Sequence, residues 1–446
     1  MPTTIPAFPP QFVWGAATSA FQIEGAAAID ARAPSVWDTF CRSPGAVVDG
    51  SNGDIACDHY HRLDADLALI QQLGLQAYRF SVSWSRVQPD GAGAWNAKGL
   101  DFYERLVDGL LERGIAPYLT LYHWDLPQAL QDQGGWAERE VALRFVDYAQ
   151  TLARRFGDRV ASIVTHNEPW VVATLGHEQG IFAPGIKDRR TAFQVSHHLL
   201  LSHGLATSAM RAERPKTPLG IVLNQGPINP ASEAENDRAK ARLEDGLLIR
   251  WYMDALFRGR YPIDVLHHLG VDAPRVRASD MDVIRAPLDF LGLNYYTRSI
   301  VGVDDARPDL AHMERTDMGW EVYPAGLTEL LVRLHRDYPL PPLFITENGA
   351  AYPDAPSDDE RVRDPLRTNY LRRHIGAVHD AMNAGVDVRG YFVWSLFDNF
   401  EWAFGYTKRF GIVYVDYETQ RRIPKDSAYW YRDFIAAQTQ RSVTTP

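Results

Sequence analysis

Glu168 and Glu347 are the residues best equipped for chemistry in this sequence. Each stands at the end of an apolar run and beside an asparagine: Glu168 in VASIVTHNEP, Glu347 in LFITENG. Two carboxyl groups on separate strand ends can converge on one bond. One then protonates a leaving oxygen while the other attacks carbon or activates water, the minimum needed to cleave a glycoside. A lone strand-end glutamate is more often solvated or paired with an arginine. The repetition of the pattern is what points to a reaction.

Other chemistries find less support. The close histidine pairs His59/His61, His197/His198 and His267/His268 lack the HExxH spacing of a zinc site, and there is no Cys-His array. No GxSxG marks a serine nucleophile, and neither GxGxxG nor GxxxxGK[ST] is present to cradle a phosphate. No cofactor or metal is therefore expected. The net charge of −10 argues against nucleic acid or an anionic membrane as partner, since both need a basic face. Small-molecule glycosides are the expected partners.

The elements that must carry these groups follow one module: amphipathic helix, glycine stop, apolar strand. LDADLALIQQLG precedes LQAYRFSVSW, and DFYERLVDGLLERG precedes IAPYLTLYHW. In the second helix Phe102, Leu106 and Leu110 recur at four-residue spacing, with Val107 and Leu111 beside them. Gly74 and Gly114 fall where a left-handed residue ends a helix. The apolar runs are continuous rather than alternating, as in parallel strands covered on both faces. Eight are present: Phe12–Thr18, Tyr78–Trp84, Ala116–His123, Ala161–Asn167, Leu219–Asn224, Phe290–Tyr295, Leu343–Glu347 and Gly390–Ser395. Their number and order predict an α/β fold, a (β/α)8 TIM barrel with long βα loops. No linker-like stretch interrupts the series, so residues 1–446 read as a single catalytic domain. The interval from Tyr296 to Pro342 is long, and its first part reads as a loop that could shape a site.

Active sites of such barrels lie at the C-terminal strand ends. Those ends offer Gln22, Arg79, His123, Trp124, Asn167, Glu168, Asn294, Tyr296, Glu347 and Trp394, with Glu401 and Trp402 downstream. Amides, imidazole and carboxylate suit sugar hydroxyls, and indole faces suit the C–H face of a pyranose. A retaining pair would stand about 5–5.5 Å apart. Arg79 beside Glu347 would keep it ionised, and that charge would keep Glu168 protonated.

The segment Phe12–Gly25 (FVWGAATSAFQIEG), Thr165–Pro169, Leu293–Thr297 (LNYYT), Ile345–Gly349 and Trp394–Trp402 (WSLFDNFEW) together resemble glycoside hydrolase family 1, the β-glucosidase family. The resemblance implies a retaining β-glucosidase, with Glu347 as nucleophile and Glu168 as acid/base, acting on β-glucosides and cello-oligosaccharides. It implies that Arg79, Asn294 and Tyr296 support the catalytic pair. Gln22, His123, Trp124, Asn167, Glu401 and Trp402 would bind the sugar, with Asn167 on the 2-hydroxyl. Trp394 would form a floor and Phe410 a wall, while Trp170 and Trp320 would line the leaving-group side. His166 stands where the family often has an apolar residue; strand alternation points it away from Asn167. Glu401 favours neutral over 6-phosphorylated sugars, because a carboxylate would repel a phosphate. Preference among glucose, galactose and fucose stays open, as does transglycosylation against hydrolysis. A non-catalytic sugar-binding barrel would be expected to have lost one of the two glutamates, and both are present. The N-terminal MPTTIPAFPP lacks a basic region and an apolar core, and two cysteines make no disulfide framework, so a cytoplasmic location is expected.

Overall fold

The computed structural model describes residues 7–214, 216–303 and 313–444. Part of the N-terminal segment read for targeting, and residues 304–312 of the long interval after Tyr296, lie outside the described residues.

Eight parallel strands close a barrel: β1 Val13–Ala17, β2 Ala77–Ser81, β3 Ala116–Tyr122, β4 Ser162–Asn167, β5 Leu219–Asn224, β6 Phe290–Asn294, β7 Leu343–Asn348 and β8 Val388–Trp394. Each strand pairs with its neighbours in sequence, and β8 returns to β1 in the register Val13↔Gly390 to Ala17↔Trp394. All residues of β2, β4 and β6 are buried, which is why these strands read as unbroken apolar runs. Every expected strand is present, with ends shifted by at most three residues.

The crossovers are helical, and the principal helix of each is α1 His59–Gln72, α2 Ala97–Glu112, α3 Arg139–Phe156, α4 Arg189–Glu213, α5 Trp251–Arg258, α6 Pro324–Asp337, α7 Pro365–Asn383 and α8 Asp426–Thr444. Gly74 and Gly114 follow α1 and α2 at φ +63° and +70°, a conformation nearly free of cost only for glycine. The inner face of α2 differs from expectation in one place. Leu111 is 42 % exposed, and Tyr103 is buried instead. The Tyr103 hydroxyl donates to Glu24 at 2.6 Å and accepts from the Ser83 amide at 2.8 Å. The buried stripe of the helix includes Phe102, Tyr103, Leu106, Val107 and Leu110.

Two short strand pairs were not legible as strands: Ile228–Pro230 with Ser299–Val301, and Val413–Val415 with Arg422–Pro424. Each is three residues long, too short for a period-two pattern. No helix among the described residues is long and apolar enough to cross a membrane.

Candidate active site

A cavity of about 340 Å³ opens where the C-terminal strand ends meet. Glu168 follows the last residue of β4 with φ +48°, a left-handed value that is costly for a residue with a side chain. Trp124 and Trp402, at +77° and +53°, share that departure and line the same cavity. Glu347 sits within β7. Gly349, two residues on, permits the approach: a Cβ there would lie 1.7 Å from the Trp394 carbonyl oxygen.

The two carboxyl groups have different partners. Glu347 is 3 % exposed. It accepts from Arg79 Nη1 at 2.6 Å on one oxygen and from the Tyr296 hydroxyl at 2.7 Å on the other. The second nitrogen of Arg79 donates to Asn167 Oδ1 at 2.7 Å. Glu168 accepts from Asn294 Nδ2 at 2.5 Å, and Asn294 Oδ1 is held in turn by the Thr346 hydroxyl at 2.7 Å. Burial raises both acids above the ordinary carboxyl range. For Glu347, Arg79 and Tyr296 draw it back down. For Glu168, the charge on Glu347 pushes it further up. Desolvation thus opposes Arg79 and Tyr296 at Glu347, and what survives is the order. Glu347 ionises first and Glu168 holds its proton.

The sugar-type residues gather beside this pair. His123 stacks between Trp394 and Trp402, with ring centres 5.8 and 6.0 Å away. It accepts from Asn167 Nδ2 at 3.2 Å and is kept neutral first by burial, then by Arg79. Trp124 donates to the Asn167 carbonyl at 2.9 Å and packs on Trp402. Trp320 packs against Tyr296 and Phe410. Trp170, Trp320, Phe410 and Glu401 all line the cavity.

Gln22 and Asn167 stand behind the lining residues. The Gln22 amide donates to Asn399 at 2.9 Å and to the Phe400 carbonyl at 2.8 Å, and its oxygen accepts from Ser19 at 2.6 Å. It therefore fixes the loop after β8, which carries Glu401 and Trp402. Asp398 anchors that loop from the other side. It accepts from Lys425 Nζ at 2.8 Å, Arg409 at 2.8 Å and the Gly411 amide at 2.9 Å.

Glu401 is only partly buried, yet burial and then the charge on Glu347 push its carboxyl up to about 8. Near neutral pH it is mostly uncharged, which weakens the argument that its charge repels a phosphate. A different fact stands against phosphorylated sugars: among the described residues no lysine or arginine lines the cavity.

His166 points outward as alternation requires. It bonds Ser202 at 2.7 Å and stacks on Phe145. The histidine pairs lead to structural partners. His59 meets Asp66, His197 meets Asp280 and Tyr261, and His198 meets the Trp136 carbonyl. Among the described residues no group of three His, Cys, Asp or Glu could hold a metal.

Sequence reasoning missed the end of the fifth strand. Asn224 and Gln225 line the cavity, and the strand-end rule that found the others would have found them. It also missed Met318 and Phe404, which come from irregular loops and carry no periodic signal.

A model of glycosyl hydrolase family 1 matches residues 5–440. Beta-glucosidase A of Thermotoga maritima is 48 % identical over 434 residues, 96 % of this chain and 97 % of that protein. A bifunctional beta-D-glucosidase/beta-D-fucosidase of Bifidobacterium breve is 46 % identical over 464 residues, covering 97 % and 99 %. The solved structure of the Thermotoga maritima beta-glucosidase in complex with glucoimidazole superposes with a TM-score of 0.94 at 47 % identity, covering 97 % of this chain and 99 % of that one.

Proposed function

On the premise that the chain belongs to glycosyl hydrolase family 1, we propose that this β-glucosidase removes terminal β-D-glucosyl residues with retention of configuration. Glu347 is the nucleophile and Glu168 the acid/base. The supporting observation is the unequal treatment of two buried carboxyl groups in one cavity. Arg79 and Tyr296 favour the anion on Glu347, while the resulting charge favours the proton on Glu168.

In the first step Glu347 attacks the anomeric carbon and the bond to the leaving oxygen breaks. Glu168 delivers its proton to that oxygen. Esterification removes the negative charge from Glu347, so the pKa of Glu168 falls. It can then take a proton from water, which attacks the same carbon and releases Glu347. Asn294 keeps Glu168 aimed throughout, and Tyr296 follows Glu347. His123, Trp124, Trp394, Glu401 and Trp402 bind the glycon, with Gln22 and Asn167 holding them in place. Trp170, Trp320 and Phe410 flank the exit.

We propose one catalytic domain over the whole chain, substrates that include cello-oligosaccharides, and a reducing, cytoplasmic location. Cys41 and Cys57 are buried free thiols, which suits the last point. The direct test is a panel of aryl β-D-glucosides, galactosides, fucosides and glucoside 6-phosphates compared by kcat/KM, with NMR of the first-formed sugar anomer. The β-glucoside is expected to rank at or near the top and to yield the β-anomer first. An α-anomer as first product, or a preference for the phosphorylated substrate, would overturn the reading.

A further inference from the structure

Gln225 is an amide in the cavity whose two polar atoms are both idle among the described residues. It follows β5, is 4 % exposed, and lines the cavity. Among the described residues neither its Oε1 nor its Nε2 has a hydrogen-bond partner, and the neighbouring Asn224 Oδ1 also lacks one. The amides around the catalytic pair differ in this respect: Asn294, Asn167 and Gln22 are all bonded within the protein. A primary amide offers two donor hydrogens and two lone pairs. Leaving them unpaired away from water costs stability, so buried amides are normally satisfied.

The barrel fixes which part of a substrate meets Gln225. β5 lies between β4 and β6. The Glu168 amide donates to the Val222 carbonyl of β5, and the Gln225 amide donates to the Asn294 carbonyl of β6 at 3.1 Å. Gln225 is therefore on the acid's side of the cavity. The acid must stand beside the departing oxygen, so the leaving group passes Gln225. The glycon-type residues Trp394, Glu401 and Trp402 come from β8 and its loop, three strands round the barrel. Trp170 and Trp320 give the same cavity flat apolar faces.

We propose that Gln225 is a specificity-determining residue for the leaving group, and that the group it selects is a hydroxylated ring, a second sugar. Vicinal hydroxyls can both donate to and accept from one amide, and the C–H face of the ring rests on indole. A simple phenol or alkyl chain uses the indoles and leaves the amide unpaired. The inference rests on Glu168 being the acid.

The test compares wild type with Gln225→Leu and Gln225→Met on cellobiose and phenyl β-D-glucoside, with Tm measured for each protein. Both variants keep the volume and remove the amide. kcat/KM for cellobiose is expected to fall by about tenfold or more, the scale of a hydrogen bond lost from a buried partner. Phenyl glucoside should stay within about twofold, and Tm should hold or rise because an unpaired buried amide is gone. Equal loss on both substrates, or a lower Tm in both variants, would make Gln225 structural and overturn the proposal. If wild type fails to cleave phenyl glucoside, the hydrolase reading falls and this inference with it. An unchanged cellobiose-to-phenyl ratio, with wild type active on both, removes this inference alone.

Discussion

Arg79 and Glu347 form an ion pair 2.6 Å long with side chains only 2 % and 4 % exposed. Breaking a buried pair leaves one charge without compensation and typically costs about 3–5 kcal/mol. Arg79→Met should therefore lower Tm and also raise the pKa of Glu347, since the cation that favours its anion is gone. The acidic limb of the kcat/KM–pH profile should move to higher pH. A profile that only scales down, with its limb unmoved, would separate Arg79 from the nucleophile.

The two glutamates can be told apart by stereochemistry. In Glu168→Ala an activated aryl glucoside should still glycosylate Glu347, because a good leaving group needs little acid help. Azide then enters and gives the β-glucosyl azide. In Glu347→Gly no covalent intermediate forms, and direct attack from the opposite face gives the α-azide. NMR of the products reads the answer, and the reverse pattern would exchange the roles.

Asn294 donates to Glu168, and a donor to a carboxylate stabilises its ionised form. Deleting it should raise the pKa of Glu168. Asn294→Ala should shift the basic limb of the kcat profile to higher pH and reduce kcat by about tenfold or more. An unmoved basic limb would mean that Asn294 serves position alone.

Glu401 predicts a stability effect with a definite sign. Below the unfolded pKa near 4.5, both folded and unfolded forms carry the proton and pH has no effect through this group. Between 4.5 and about 8 the unfolded chain releases its proton while the folded chain retains it, so stability falls as pH rises. Glu401→Gln removes that loss. Its Tm advantage over wild type should grow from pH 5 to pH 8 and then level off, by on the order of 1 kcal/mol given the partial exposure of the side chain. Its kcat/KM for glucosides should drop. A Tm difference that does not change with pH would contradict the raised carboxyl.

Gly349→Ala tests the steric basis of the site. The added methyl would meet the Trp394 carbonyl oxygen at 1.7 Å, and backbone there has little freedom to yield. Both Tm and kcat should fall, because β7 and β8 must separate just beyond Glu347. Normal activity in this variant would show that the two strand ends approach less closely than described.

The barrel strands could be read from sequence because burial on both faces leaves long apolar runs, and β5 was located to the residue. The pair Glu168 and Glu347 could be picked out because both glutamates close such runs. Residues whose role depends on a distant partner were less so. Gln22 was read as a sugar ligand; that it also bonds Asn399, 377 positions away, is something nothing local records. Gln225 was missed for a different reason: the end of the fifth strand was not read for site residues, though the strand-end rule would have found it. Leu111 was misplaced because a regular spacing does not say where the edge of a buried stripe falls.

The closure of β8 on β1 has a bearing on how the protein is made. The loop bearing Glu401 and Trp402 is secured by Gln22 on one side and, through Asp398, by Lys425 on the other, and Lys425 is synthesised long after Gln22. β1 has no eighth strand to pair with until more than 370 further residues have been synthesised. A nascent chain therefore cannot assemble a glycon site however many of the earlier strands have folded. A chain cut short before Lys425 should therefore carry both Glu168 and Glu347 and have no working pocket around them.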